Sequence, residues 1–201
     1  MNHVIRPDLV TPARAHRTAP WTRRVLALLP ADGAPFGGTV RIRQDALFAQ
    51  HRTGTGDALG WEAVAPGANE RPVVRYTRGA ARGLVHEAPR PGARRLLLVE
   101  GALAALAARA LAGEAQRGLL VCGLGGVWTA AAADHVATLC RRAGIAEVVV
   151  ANSTHHAAGH ALRVEALGDL DDLGLSVLER AAPPTGWAAA LRDLRGAEDA
   201  L

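Results

Sequence analysis

The chain has 201 residues, 49% of them hydrophobic, which is enough to bury the core of one domain or of one domain with a small appendage. Its formal net charge is +4, every basic side chain apart from histidine is arginine, and no apolar run reaches the roughly 18 residues needed to span a bilayer. The composition therefore argues against a membrane-spanning helix and predicts a globular, cytoplasmic protein with no membrane partner. The two cysteines are too few for a disulfide framework or a zinc site.

The first 90 residues are predicted to form two units. Residues 1–35 contain several prolines and little apolar periodicity apart from a short helical pattern at 21–29, which indicates an N-terminal arm with one short helix. Residues 36–90 contain short alternating segments, at 39–43, 46–51, 61–64 and 73–76, between glycine-bearing turns. This spacing predicts a small antiparallel β-rich domain.

After the proline and glycine break at 89–92, the pattern of residues 91–201 changes to strands that alternate with helices. Apolar strands are predicted at 96–99, 118–122, 147–151 and 174–178, and helices at 102–112, 129–143, 157–167 and 187–194. Strands separated by helices of ten or so residues imply a parallel sheet covered on both faces. The predicted fold class is therefore α/β, with a small antiparallel β unit in front of a parallel sheet flanked by helices.

A carboxylate ends the first of these strands. The apolar run at 96–99 stops at Glu100, and Gly101 and an alanine-rich helix follow at once. Open α/β sheets build their sites at the carboxyl ends of their strands, so Glu100 lies where a functional site is expected. The alternative is a carboxylate that only caps the next helix, where the helix dipole favours negative charge.

Residues 94–194 resemble a toprim domain, the small parallel α/β unit shared by primases, topoisomerases and related nucleases. The resemblance rests on Leu-Leu-Val-Glu-Gly at 97–101, the glycine turn at 122–126, the strand at 147–151 that leads into 156–161, and Pro-Pro-Thr-Gly-Trp at 183–187. The segment Arg-Tyr-Thr-Arg-Gly-Ala-Ala-Arg-Gly at 75–83 is similar to a small domain that precedes toprim in plasmid and phage proteins.

The toprim resemblance implies metal-dependent phosphoryl transfer, with Glu100 as the catalytic residue and as a ligand of Mg²⁺ or Mn²⁺. It also implies DNA or RNA as the partner. The glycines of the matching motifs are expected to line the binding site: Gly101, Gly123, Gly125, Gly126 and Gly159. The turn at 123–126 could cradle a phosphate through its backbone amides, and the alternative is a tight turn without a ligand.

The chain departs from the toprim pattern in its acidic motif. Where the family carries paired aspartates, this chain has Asn152 and Thr154, or Thr154 and His156, depending on the direction of counting. Neither pair supplies a carboxylate, although magnesium prefers charged oxygen ligands. The implied ligand set of Glu100, Asn152, Thr154 and His156 is therefore degenerate, and a protein without any metal is the alternative.

The histidines near the acidic motif leave a third possibility open. His155, His156 and His160 lie at the start of a predicted helix and could bind a softer metal, since imidazole suits transition metals. Surface histidines without a ligand are the competing interpretation.

The sequence thus predicts a toprim-like, nucleic-acid-associated protein of the plasmid or phage primase or mobilisation type. Its ancestral chemistry is either retained or lost. The alternative function is a non-catalytic scaffold or binding module that contacts replication or conjugation proteins in a DNA replication or transfer complex.

Overall fold

The structure, a computed structural model, describes residues 36–43, 46–67, 72–113, 116, 118–151 and 157–198. The strands in these residues are β1 Val40–Arg43, β2 Ala46–Arg52, β3 Ala58–Pro66, β4 Pro72–Tyr76, β5 Leu84–His86, β6 Arg95–Glu100, β7 Leu119–Leu124, β8 Glu147–Val150 and β9 Ser176–Glu179. The helices are α1 Gly101–Ala112, α2 Ala130–Ala143, α3 Ala157–Asp172 and α4 Trp187–Glu198, and a short 3-10 turn spans Gly37–Thr39.

The described strands form one mixed sheet. Its order is β4-β3-β2-β5-β7-β6-β8-β9, and β1 pairs with β2 beside this path. Strands β1 to β4 are antiparallel to their neighbours, whereas β7, β6, β8 and β9 are parallel. The predicted fold class, a small antiparallel unit followed by a parallel sheet with flanking helices, is confirmed.

The antiparallel unit turns alternate residues of each strand toward the core. On β2, Leu47, Ala49 and His51 are buried and the residues between them are half-buried. β3 runs beside β2 with Leu47 opposite Val64 and Ala49 opposite Glu62. Two polar side chains, His51 and Glu62, consequently occupy inward positions among apolar ones.

The parallel part of the sheet is buried on both faces. β6 lies between β7 and β8, and its residues 96–99 are all buried, as expected for a strand with helices above and below it. α2 and α3 contribute Leu139 and Leu170 to the apolar core on one face. α1 and α4 contribute Ala105 and Leu191 to the core on the other face. The carboxyl ends of the parallel strands therefore meet at one edge of the sheet.

Strand β5 joins the antiparallel and parallel parts. Its Leu84 lies opposite Arg52 of β2 and opposite Leu124 of β7. Just after β5, the fully buried Glu87 accepts a hydrogen bond from the backbone N–H of Val121 at 2.9 Å and lies 2.9 Å from Nε of Arg109. The domain boundaries at 35/36 and 90/91 stay predictions, but the strands on both sides of residue 90 share one sheet.

The α1 and α2 elements agree with the patterns that predicted them. α2 begins after Thr129, whose Oγ1 accepts a hydrogen bond from the N–H of Ala132 at 3.2 Å, and it ends at Gly144 in the left-handed region. Cys122 and Cys140 are buried free thiols, and burial raises the pKa of Cys140 to about 12. The helix predicted at 21–29 lies outside the described residues, and no described helix is long and apolar enough to cross a membrane.

Candidate functional site at the carboxyl edge of the sheet

Glu100 lies where strand β6 passes directly into helix α1. β6 ends at Glu100 and α1 begins at Gly101, so no loop residue separates them. Gly101 has a φ of 67°, in the left-handed region that glycine enters without the steric cost of a Cβ atom. The half-buried Glu100 is thus held at the carboxyl end of the central parallel strand. Its catalytic role stays a prediction.

A different carboxylate caps helix α1. Glu100 occupies the N-cap position, but its side chain makes no capping hydrogen bond. The backbone N–H of Ala102 instead donates to Oε1 of Glu62, at 2.7 Å. Glu62 comes from β3 and is only 1% exposed. Because the first turn of a helix carries unpaired N–H groups and partial positive charge, the Glu62 carboxylate stabilises the start of α1.

His51 holds Glu62 in place from the opposite side. Nε2 of His51 lies 3.0 Å from Oε2 of Glu62, and Nδ1 lies 3.3 Å from the backbone N of Gly83. The Gly83 amide can only donate, so Nδ1 is the acceptor and Nε2 carries the proton that His51 donates to Glu62. These two hydrogen bonds fix the tautomer of the imidazole ring.

Tyr76 and Arg82 extend the polar cluster toward solvent. The Tyr76 ring packs edge-on against His51, with the ring centres 5.7 Å apart. The Arg82 guanidinium lies over the Tyr76 ring, 4.0 Å from its centre, in a cation–π contact. Burial, and then the nearby negative charge of Glu62, raises the pKa of Tyr76, so its hydroxyl stays protonated at neutral pH.

A cavity of about 690 Å³ opens beside Glu100 and the first turn of α1. The polar or charged residues in its lining are Glu62, Tyr76, Arg82, Glu100 and Thr185. The rest of its wall comes from the starts of α1 and α4, the end of β8 and the loop after β7, and is mostly small and apolar: Gly101, Ala102, Leu103, Ala104, Leu124, Gly126, Val127, Ala151, Ala182, Gly186, Trp187, Ala188 and Ala189, with Val64, Pro72 and Val74 from β3 and β4.

The glycines of the β7 turn pack against neighbouring backbone and side chains. A Cβ atom on Gly123 would lie 2.7 Å from the carbonyl carbon of Gly101. A Cβ atom on Gly125 would lie 2.6 Å from Nδ1 of His51 and 2.8 Å from the carbonyl oxygen of Gly83. Close packing thus accounts for glycine at 123 and 125.

Two of the predicted binding glycines, Gly101 and Gly126, border the cavity together with Glu100. Gly126 has a φ of 105°. Gly159 lies in the first turn of α3. A role for any of these glycines in ligand binding stays a prediction.

The remaining predicted ligands fall in or beside the segment 152–156. Asn152, Thr154, His155 and His156 lie outside the described residues, as does the side chain of His160. Ala151, which immediately precedes this segment, borders the cavity. Within the described part of the chain, no group of three or more His, Cys, Asp or Glu residues could hold a metal ion.

The described residues bring two carboxylates, Glu62 and Glu100, to the lining of one cavity. Both oxygens of Glu62 accept hydrogen bonds within the protein, one from the Ala102 N–H and the other from His51. Magnesium keeps near-octahedral oxygen coordination and is commonly held by one or two carboxylates together with waters and substrate phosphates. The predicted ligands of Mg²⁺ or Mn²⁺ are Glu100 and residues of the segment 152–156.

Sequence reasoning missed Glu62 and His51. Each lies in an ordinary alternating strand, without a motif around it. The sequence could have marked them by their place in the strand alternation. His51 falls on the same side of its strand as Leu47 and Ala49, and Glu62 on the same side as Val64, and all of these residues are buried. A charged residue at an inward position requires a buried partner.

The fold and the site define an α/β protein with a strand-end carboxylate beside a cavity. No protein-family model matches the chain, and no curated protein matches it. Among solved structures, it is similar to the zinc-binding and RNA polymerase domains of the primase from Aquifex aeolicus, with a TM-score of 0.46 and 14% sequence identity. That match covers 79% of this chain and 43% of the primase chain, so the chain spans less than half the length of that structure. A TM-score below 0.5 does not establish a shared fold.

Proposed function

We propose that this chain is a toprim-like, nucleic-acid-associated protein of primase type, with Glu100 at the centre of its site. The observation that carries the proposal is the direct passage from β6 into α1 at Glu100 and Gly101, on the central strand of the parallel sheet and beside the cavity. Sites of open α/β sheets form at this edge. An ionised carboxylate there can accept a proton from an attacking hydroxyl.

Charge near the cavity supports a polyanionic partner. Between residues 72 and 86, which include β4 and β5, the chain has three arginines and no acidic residue. Arg75, Arg78 and Arg82 are exposed, and Arg82 borders the cavity. Exposed arginines bind phosphates through charge, which makes binding strongly dependent on salt. The proposed partner is DNA or RNA, in the cytoplasm of a cell that carries a plasmid or phage.

The alternative is that the chain binds nucleic acid or a replication or conjugation protein without catalysis. The observation that favours it is that, among the described residues, no group of three or more His, Cys, Asp or Glu side chains could hold a metal ion, while both oxygens of Glu62 accept hydrogen bonds within the protein. Under this alternative Glu100 contributes to the shape of the site and its charge has no chemical role.

The first test measures single-stranded DNA binding by fluorescence anisotropy at about 50 and 200 mM salt. We expect binding that weakens with salt, and a double variant Arg75→Ala/Arg78→Ala that binds about tenfold less tightly with a slope reduced by about 1.4, at roughly 0.7 for each lost phosphate contact. Arg94→Ala is the matched control, because Arg94 is also exposed but precedes β6 at the opposite edge of the sheet. Absence of binding by the unaltered protein would refute the association with single-stranded DNA.

A calorimetric titration of Mg²⁺ and Mn²⁺ into the unaltered protein and into Glu100→Gln, combined with the DNA-binding result, distinguishes a catalytic protein from a non-catalytic module. Metal binding that disappears in Glu100→Gln would support retained phosphoryl-transfer chemistry and a metal site that includes Glu100. DNA binding with no metal binding in either protein would support the non-catalytic module.

A further inference from the structure

We infer that Glu62 is a positioning residue for Glu100, supplied by the antiparallel unit and locked by His51. The inference rests on the proposed function, because it identifies what aligns the carboxylate that is proposed to act there. It assigns Glu62 no contact with substrate or metal.

Helix α1 sets the direction of Glu100. β6 and α1 meet at Glu100 and Gly101 with no loop between them, so a movement of the first helical turn also turns the Glu100 backbone. The N–H groups of that turn lack acceptors within the helix. One of them, on Ala102, donates to Glu62 over 2.7 Å, a charge-assisted hydrogen bond in a water-excluded place.

Glu62 itself cannot move freely. Oε2 accepts a hydrogen bond from His51, and the His51 ring is fixed by the Gly83 N–H and by close contact with the Gly125 backbone. Both His51 and Glu62 are 1% exposed. Both Glu62 oxygens thus have partners within the protein, and through Ala102 they hold the first turn of α1 and, with it, Glu100.

These contacts connect the antiparallel unit to the start of α1. Glu62 and Ala102 are 40 residues apart, and His51 and Gly83 are 32 apart. The antiparallel unit therefore contributes to the alignment of the site as well as to the sheet. Alignment errors of about 1 Å are enough to cost an active site much of its rate.

The test compares Glu62→Ala and Glu62→Gln with Leu170→Ala in the full chain. Leu170 is fully buried in the apolar core on the other face of the sheet. Leu170→Ala is expected to destabilise the fold, as Glu62→Ala is, but it removes no contact with α1. The measurements are the NMR shifts of Glu100 and Gly101, the exchange rate of the Ala102 amide proton, unfolding in urea, and the DNA and metal titrations described above.

We expect Glu62→Ala to speed exchange of the Ala102 amide at least tenfold relative to amides in α2, and to move the Glu100 and Gly101 resonances. Any Glu100-dependent binding should fall at least tenfold. Glu62→Gln keeps an oxygen for the Ala102 N–H and should be intermediate in every measurement, which is the rescue that a positioning role requires. Leu170→Ala should lower stability while leaving exchange at Ala102 and binding within twofold.

Failure of this inference is distinguishable from failure of the proposed function. The positioning role would be overturned if Glu62→Ala left the Glu100 and Gly101 resonances unchanged and kept the exchange rate of the Ala102 amide within twofold of the unaltered protein. If Glu62→Ala does not fold, the same result in Glu62→Gln would overturn it. A protein that binds neither DNA nor metal, but shows the expected shifts and exchange, would refute the proposed function and retain the positioning role.

Discussion

At the scale of single residues, His86 is a buried histidine whose environment opposes its protonation. It is 5% exposed, and its Nδ1 donates a hydrogen bond to the Glu87 carbonyl oxygen at 2.7 Å. Burial lowers the pKa of His86. Interactions with the backbone of Glu87 and Thr53 oppose this shift, and the positive charges of Arg52 and Arg142 add to it, so the net direction is down.

His86 is therefore expected to make the fold sensitive to mild acid. The unfolded chain binds a proton as pH falls through about 6.5, whereas the folded chain does so only below its lower pKa. The free energy of unfolding should decrease across that window, by about 1.4 kcal/mol for each unit between the two pKa values, and should level off below the folded pKa. Urea unfolding between pH 7.5 and 5 measures this decrease.

The matched variant for that measurement is His86→Leu, which is expected to remove this part of the pH dependence. The buried Glu87, whose pKa burial raises, acts with the opposite sign, because the folded state then holds its proton to higher pH than the unfolded state. It is present in both proteins, so the difference between their pH curves isolates His86. Parallel curves would contradict the prediction.

The residue scale also shows what the sequence could reveal of the site. Glu100 was predictable because it ends an apolar run and precedes a glycine and an alanine-rich helix, a purely local pattern. Glu62 and His51 were not, because their importance comes from hydrogen bonds across 40 and 11 residues of chain. Periodicity could have marked them as inward-facing, but it could not have named their partners.

At the scale of elements, the turn between β2 and β3 is fastened to helix α2. Arg142 donates hydrogen bonds to the carbonyl oxygens of Gly54 and Thr55, the first at 3.0 Å. Gly54 packs so closely on α2 that a Cβ atom there would lie 2.8 Å from Cβ of Thr138. This contact lies on the α2 face of the sheet and gives the antiparallel unit an attachment to the parallel part beyond β5.

Loss of that attachment should be measurable. We expect Arg142→Ala to lower the free energy of unfolding by about 1 kcal/mol, since charged donors to carbonyl groups contribute somewhat more than this when buried and Arg142 is exposed. Arg141→Ala is the control. Arg141 is the residue before Arg142 in α2 and is also exposed, and its side chain donates a hydrogen bond to Thr138 of the same helix. Equal losses in the two variants, by urea denaturation, would show that the turn is not fastened by Arg142.

Most helices and strands could be predicted from the sequence, with the exception of β5. The helix expected at 129–143 is observed as Ala130–Ala143, because its apolar spacing and its flanking Thr129 and Gly144 are local signals. β5 was not predicted. It has three residues, too few to show any periodicity, and its strand conformation depends on pairing with β2 and β7.

At the scale of the whole molecule, the break at 89–92 divides the sequence but not the sheet. Proline and glycine there mark a change from alternating segments to a strand and helix rhythm, which is the usual mark of a boundary. The structure places β5 on the near side of that break in register with β7 on the far side. The continuity depends on long-range pairing, which composition and periodicity do not encode.

A fragment of residues 91–201 is therefore expected to fold poorly. It would lack β5, which pairs with β7, and the Glu62 side chain that caps α1. It would also lack the Glu87 carboxylate, which accepts a hydrogen bond from the Val121 N–H and pairs with Arg109. An edge strand as apolar as β7 would then be exposed and prone to aggregate. Circular dichroism during urea titration should show a shallow transition, whereas the full chain should unfold cooperatively.

A steep transition for the 91–201 fragment, with a urea dependence proportionate to its size, would contradict this prediction and support an independent domain that begins at residue 91.

The order of synthesis gives the Glu62–Ala102 hydrogen bond a further consequence. A nascent chain emerges N-terminus first, so the antiparallel strands leave the ribosome before the helix that Glu62 caps and the strand that covers β5. Until then Glu62 lacks its partner in α1. The hydrogen bond from Arg142 to the Gly54 carbonyl, which joins residues 88 apart, cannot form either. We expect the first half of the chain to remain incompletely folded, and available to chaperones, until α2 has been made.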